Sequence, residues 1–168
     1  MQNELFLILR ESAQVIYGEE EQRPFYYEKE LVRARLVLEL NERLGYPLSS
    51  IHLDALVLVE GDGFQQIDVV ARSQNGDVMI VAATEPAQVY ESLREERMRG
   101  LYKQASVVAR AKRVHCLVYY TGWYEKSQLR KRQVVVDYAA YPTYRAWRAA
   151  GFPSGEFLPA YRKEQNEQ

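Results

Sequence analysis

The stretch from Gln65 to Gln88, QQIDVVARSQNGDVMIVAATEPAQ, constrains the fold most, because two apolar runs flank the turn cluster Ser73-Gln74-Asn75-Gly76. Asn-Gly tolerates the positive φ of tight hairpin turns, so the runs predict paired strands. Beyond them Thr84 offers a hydroxyl cap and Pro86 a residue with no N–H to lose, which predicts a helix start. Asp68 interrupts the first run. A carboxylate there costs free energy unless it lines a cleft or meets a partner, which makes it the first candidate functional group.

The flanking segments suggest layers of helix on sheet. Residues 3–17 fit either a short helix or a strand. From Tyr27 to Leu44, the residues Leu31, Ala34, Val37, Leu38, Leu40 and Leu44 form an apolar stripe that Gly45 and Pro47 terminate. Ile51 to Glu60 alternates as a strand, with Ile51, Leu53, Ala55, Val57 and Val59 expected on one face, and Gly61-Asp62-Gly63 turns it. A long helix is expected from Pro86 to about Arg110. VHCLVYY, residues 114–120, then reads as a strand covered on both faces and ended by Thr121-Gly122. Gln133 to Tyr138 supplies a last strand, Thr143 to Ala150 a short helix with Trp147, and 162–168 a frayed tail.

With 168 residues, 47% hydrophobic and 27% charged, the chain suits one α/β domain spanning 1–168 with a core at about 23–140. Its apolar runs fall short of the roughly 18–20 residues of a membrane helix, and no membrane partner is expected. The opening MQNELFLILRES lacks the basic lead and cleavage site of a signal peptide, so a cytoplasmic location is expected. A single cysteine, Cys116, excludes an internal disulfide and a cysteine-based zinc site.

The hairpin resembles that of the PD-(D/E)XK nucleases, above all the N-terminal domain of type I restriction enzyme R subunits. In that family an Asp on the first strand is followed on the second by Glu-x-Lys, in a phrase such as IVVECKAP. Here Ile80-Val81-Ala82-Ala83-Thr84-Glu85-Pro86 holds the place, so that Asp68 matches the Asp while Ala82 and Thr84 replace the Glu and the Lys. Arg23-Pro24, Glu30-x-x-Arg33 and Leu44-Gly45-Tyr46-Pro47 are similar to the family's opening helix and its exit. The resemblance implies a restriction-endonuclease-like αβββαβ core with a mixed central sheet flanked by helices. It also implies a helical Glu, here Glu30, near the site.

Hydrolysis in that family's manner needs oxygen ligands for Mg²⁺ and a lysine to activate water. Asp68 alone would hold such an ion weakly, so the resemblance implies a nuclease fold that has lost catalysis, with no cofactor, and with Mg²⁺ only if activity survives. Hairpin register decides whether a rescue exists. A two-residue Asn75-Gly76 loop puts Asp68 opposite Ala83 and on the face of Val81 and Glu85, where Glu85, Glu30 and Lys103 would complete a site. A three-residue loop with a bulge puts it with Ala82 and Thr84, and the resemblance favours this second register, in which no cluster forms.

Charge is unevenly spread although the net value is −1: residues 94–132 carry eleven Lys or Arg against three acids, and the first forty-two carry nine acids against five bases. Arg94, Arg97, Lys103, Lys112, Arg113, Lys126, Arg130 and Lys131, interleaved with Tyr102, Tyr119, Tyr120, Trp123 and Tyr124, suit DNA phosphates and bases. The same residues suit solvated helix faces, or the contact patch of a homodimer or larger complex. Three readings follow: a degenerate nuclease fold that binds nucleic acid or scaffolds a complex, an active Mg²⁺-dependent endonuclease, and a protein-interaction subunit.

Overall fold

A computed structural model describes residues 24–163 of the chain. The expectations for residues 3–17 and for the end of the tail lie outside them. Helix α1 spans Pro24–Leu38 and runs into a π-helical turn, Glu39–Arg43, and a 3₁₀ turn, Leu48–Ser50. Then come β1 (Ile51–Val59), β2 (Gly63–Arg72), β3 (Val78–Thr84), α2 (Ala87–Val108), β4 (Val114–Glu125), β5 (Gln128–Asp137) and α3 (Tyr144–Ala149). The five strands form one mixed sheet in the order β1-β2-β3-β4-β5. Only β3 and β4 are parallel, because α2 carries the chain back across the sheet between them.

One helix packs on each face. Tyr90, Met98, Leu101, Tyr102 and Ala105 of α2 bury against Val81, Ala83, Leu117 and Tyr119, with Trp147 of α3 closing that side. Val32, Leu36, Val37 and Leu40, from α1 and its π turn, bury against Ile80, Ala82, Val118 and Tyr120. All seven residues of β3 are buried, as a central strand between two helical layers must be.

The hairpin turn is a three-residue loop, Gln74 to Gly76, with Gly76 at φ 88°, and the Ser73 N–H donates across it to the Asp77 carbonyl at 2.9 Å. A bulge follows: Arg72 pairs with Val78 but Ala71 with Ile80, so Met79 is an extra residue. Met79 and Ile80 accordingly enter the same core, on the α1 face. The bulge restores the register that a two-residue loop would have given. The ladder ends with Val69 facing Ala82, the register in which Asp68 falls opposite Ala83, so the expected pairing of Asp68 with Ala82 and Thr84 is corrected.

A second irregularity corrects the expectation of a one-faced β1. Ile51 and Leu53 pack on the α1 side, whereas Ala55 and Val57 pack on the α2 side. Asp54 lies between them at φ 54°, a left-handed conformation that Asp tolerates better than most residues. The strand rotates there, and β2 changes face at the same level, with Ile67 in one core and Val69 in the other. The β1–β2 ladder pairs Leu53 with Val69 and Ala55 with Ile67 and skips the rung of Asp54 and Asp68. Beyond the break, Leu56, Leu58 and Phe64 remain exposed on the outer face of the hairpin.

Two further expectations are corrected. Thr84 does not cap α2, whose N-cap is Pro86 with no side-chain bond, because the Thr84 main chain is engaged by Asp68. β4 does not end at Thr121-Gly122: its ladder to β5 continues through Gly122↔Lys131 to Glu125↔Gln128, and the turn comes at Lys126-Ser127.

Tyr90 of α2 and Tyr119 of β4 stack at 4.3 Å between ring centroids. Each hydroxyl donates to the other residue's carbonyl, at 3.1 Å from Tyr90 and 2.7 Å from Tyr119. Burial pushes the Tyr90 phenol up to about 12. Tyr119→Phe keeps the stack but removes the donor from a buried carbonyl, and should cost about 1–2 kcal/mol in urea unfolding with an unchanged m-value.

Candidate functional site

The site is assembled where the skipped rung of β1 and β2 meets the end of β3, with one cation reaching in from each of α1 and α2. Because its ladder rung is skipped, Asp68 is free to turn its carboxylate toward the end of β3. Its Oδ2 accepts the Thr84 N–H at 2.8 Å, with the Thr84 hydroxyl at 3.4 Å. From α2, Arg97 reaches the same oxygen with Nη2 at 2.6 Å and places Nε 3.1 Å from Glu85 Oε1. From α1, Lys29 brings Nζ to 3.5 Å from Glu85 Oε1 and 3.8 Å from Asp68 Oδ1. Two carboxylates, each under a tenth exposed, thus share two cations from opposite faces of the sheet.

A second pair of acids, Glu30 of α1 and Asp54 of β1, lies alongside. Arg33, one turn on from Lys29, donates Nη2 to Glu30 and Nη1 to Asp54, both at 2.7 Å. Burial works to lower the Arg33 pKa, but Glu30 and then Asp54 outweigh it and hold the guanidinium above its ordinary value. Positions i and i+4 of a helix share a face, so Lys29 and Arg33 both point toward the sheet. Lys29 meets Asp68 and Arg33 meets Asp54, the two aspartates of the skipped rung.

The candidate residues therefore separate into three places. Asp68 and Glu85 come together, with Ala82 and Thr84 beside them on β3. Glu30 is held by Arg33 instead of joining them. Lys103 pairs at 2.9 Å with Asp62 on the surface. The Glu30–Arg33 pair is the alternative that the i,i+3 spacing offered for Glu30, whereas sequence reasoning missed Lys29 and Asp54 and assigned Arg97 to phosphate binding. One signal was legible: cations at 29 and 33, four apart and flanking buried Val32, interrupt an otherwise apolar helix face.

The residues present do not fit a resident divalent ion in this arrangement. Mg²⁺ demands about six oxygens near 2.1 Å. Here the Arg97 guanidinium stands between the two carboxylates, and no group of three or more His, Cys, Asp or Glu suited to a metal occurs among the described residues. Chemically the arrangement is a charge-balanced clamp.

The residues proposed for nucleic acid do not form one patch. Arg97, Lys103 and Lys131 are each paired with a carboxylate, Lys131 with buried Glu39. Arg94 and Arg130 make looser pairs with Glu91 and Glu125 at 3.9 and 3.8 Å. Lys112 and Arg113 precede β4 and Lys126 follows it, so a strand of twelve residues, roughly 40 Å, separates them. The β4–β5 tip is a basic, aromatic arm: Arg35 lies 4.9 Å from the Tyr124 ring and Arg132 5.8 Å from that of Trp123.

His115 is half-buried and meets Asp77 at 3.2 Å. Cys116 is partly buried, and burial, then Asp137, push its thiol up to about 11. Alkylation by iodoacetamide at pH 8 should therefore be slow in the folded protein and fast in urea, since the thiolate is the nucleophile. No helix among the described residues is long and apolar enough to cross a membrane.

Comparison with models of known protein families finds no match, and comparison with curated proteins finds none.

If the clamp holds the two helices to the sheet, Arg97→Met should cost about 3 kcal/mol by leaving buried carboxylates underpaired. Adding Asp68→Asn and Glu85→Gln should return at least half of the loss. Urea titration of the single and triple variants checks this, and a single-variant cost under about 0.5 kcal/mol would show the clamp to be energetically idle.

Proposed function

We propose that this chain is a catalytically degenerate protein of restriction-endonuclease-like fold that serves as a nucleic-acid-binding or scaffolding module. The observation that carries the reading is the Arg97 guanidinium seated between Asp68 and Glu85. In the nucleases that the hairpin resembles, this is where acidic ligands face a metal ion. Here the Glu and Lys positions are Ala82 and Thr84, and a fixed side-chain cation neutralises the acids that remain. The helix-sheet-helix layering and the parallel β3–β4 crossover support the same reading.

Nucleic acid would meet the β4–β5 arm, where Lys126, Arg130 and Arg132 surround Trp123 and Tyr124. Stacking and phosphate contacts are the interactions that such an arm offers.

One observation favours a second reading, an active Mg²⁺-dependent endonuclease. Asp68 and Glu85 reach the same lysine, Lys29, so two carboxylates and an amine are within one turn of rearrangement should Arg97 swing away. Incubating plasmid, single-stranded DNA and RNA with the protein in Mg²⁺ or Mn²⁺ separates the two. The degenerate reading expects no cleavage, and DNA binding whose log affinity falls linearly with log salt. Replacing Lys126 and Arg130 with Glu should weaken that binding about tenfold and flatten the salt slope. Metal-dependent cleavage lost in Asp68→Ala would establish the enzyme instead, and no binding at any salt would leave a protein-interaction role.

A further inference from the structure

A second polar site lies at the opposite end of β3, about seven residues or roughly 20 Å from Thr84. It is a pocket of about 250 Å³ lined by Ser73, Asn75, Asp77, Arg113, His115, Arg162 and Lys163, with Met79. Its walls come from three separate parts of the chain: the hairpin turn, the start of β4 and the C-terminal segment. The Gln74 N–H donates to the Arg162 carbonyl at 3.2 Å, and the Tyr161 N–H donates to the Leu44 carbonyl at 2.9 Å, so main-chain bonds hold that segment beside the turn.

The charge pattern there is the reverse of that in the clamp. Around Asp68 every cation has a carboxylate. In the pocket, Arg113, Arg162 and Lys163 make no ion pair among the described residues. Lys112 adds a fourth positive group above the turn, its Nζ 3.5 Å from where a Cβ on Gly76 would stand. The lone carboxylate of the lining, Asp77, is already engaged by His115 at 3.2 Å, and that bond, ahead of Asn75 and Arg113, holds it below its ordinary value. Asn75 in turn is fixed by the Asp77 N–H at 2.9 Å and by the Ser73 hydroxyl. The polar groups of the turn are therefore pre-set, while the cations around them form no ion pair among the described residues.

We propose that this pocket binds a phosphomonoester dianion. Among the described residues, three cations of the lining, with Lys112 beside them, face one carboxylate, an excess of positive charge that favours a dianion over a simple carboxylate ligand. Two of the three are guanidiniums, whose planar forks match phosphate oxygens. The volume lies below the roughly 300–1,000 Å³ of drug-sized sites, so it suits a phosphate with a small attached group. Such a group occurs on small phosphorylated metabolites and on the phosphorylated end of a nucleic-acid strand. The site stands independently of the nucleic-acid reading above.

The test is an amide NMR titration of the whole chain at constant ionic strength with inorganic phosphate, then with a short oligonucleotide bearing a 5′-phosphate, then with the same oligonucleotide bearing a 5′-hydroxyl. Saturable shifts confined to residues 73–77, 112–115 and 161–163 are expected. Arg113→Ala with Arg162→Ala should weaken phosphate binding about tenfold. Asp77→Asn, which removes the one carboxylate of the described lining, should tighten it about threefold, a gain that mere loss of structure does not produce. Competition by the 5′-phosphate but not the 5′-hydroxyl strand would identify a strand end as the source. Binding of inorganic phosphate alone would identify a small phosphoester. Shifts that fail to saturate by about 20 mM phosphate, that chloride reproduces, or that both variants leave unchanged would overturn the proposal.

Discussion

The reach of Arg97 across two acids, hydrogen-bonded to Asp68 and ion-paired with Glu85, is the contact on which the architecture turns. A mixed sheet with a helix on each face has no covalent reason to hold both layers in one register, and apolar packing is indifferent to small slides. A guanidinium with its Nη2 on one strand's carboxylate and its Nε beside the residue that ends the next strand removes that freedom for α2. Lys29 does the same for α1 from the other side, with longer contacts. Buried charges of this kind contribute less net stability than the apolar groups around them, and their attested use is to select one arrangement among several.

The clamp exists only because the strands are irregular. Regular β2 would point Asp68 to a single face and commit its neighbours to the ladder. The left-handed Asp54, the skipped rung and the extra residue Met79 together let Asp68 take a main-chain N–H from Thr84 and ion pairs from both helices. Three departures from ideal pairing converge on one carboxylate.

Much of this was legible from residue patterns, and the illegible part has a physical cause. Periodicity located both long helices, the meander and the doubly buried β4, because apolar spacing reports directly on burial. It failed where the backbone left its regular period. Nothing in Val78-Met79-Ile80 marks Met79 as a bulge, and an Asp at φ 54° has the same composition as an Asp in a strand. The β4–β5 arm was cut short because Gly122 was read as a terminator. In the structure it is buried, tucked against the Tyr120 ring with its carbonyl taken by Arg35. The basic half of the chain was visible as a count, yet pairing is a property of space: Arg97, Lys103 and Lys131 are neutralised by residues 29 to 92 positions away in sequence.

The arm's turn carries a mechanical consequence. Lys126 and Ser127 sit at φ 49° and 63°, where side chains crowd the backbone and glycine or asparagine would rest at little cost. At roughly 1 kcal/mol each, that strain is concentrated at the outermost loop, beside rungs whose side chains lie in solvent. The same two positive φ values give the turn a twist that the flanking strands share, and just below it Arg35 and Arg132 cover the rings of Tyr124 and Trp123. Glycine or asparagine at either position would relieve that strain and leave the turn, and the rings behind it, where they are.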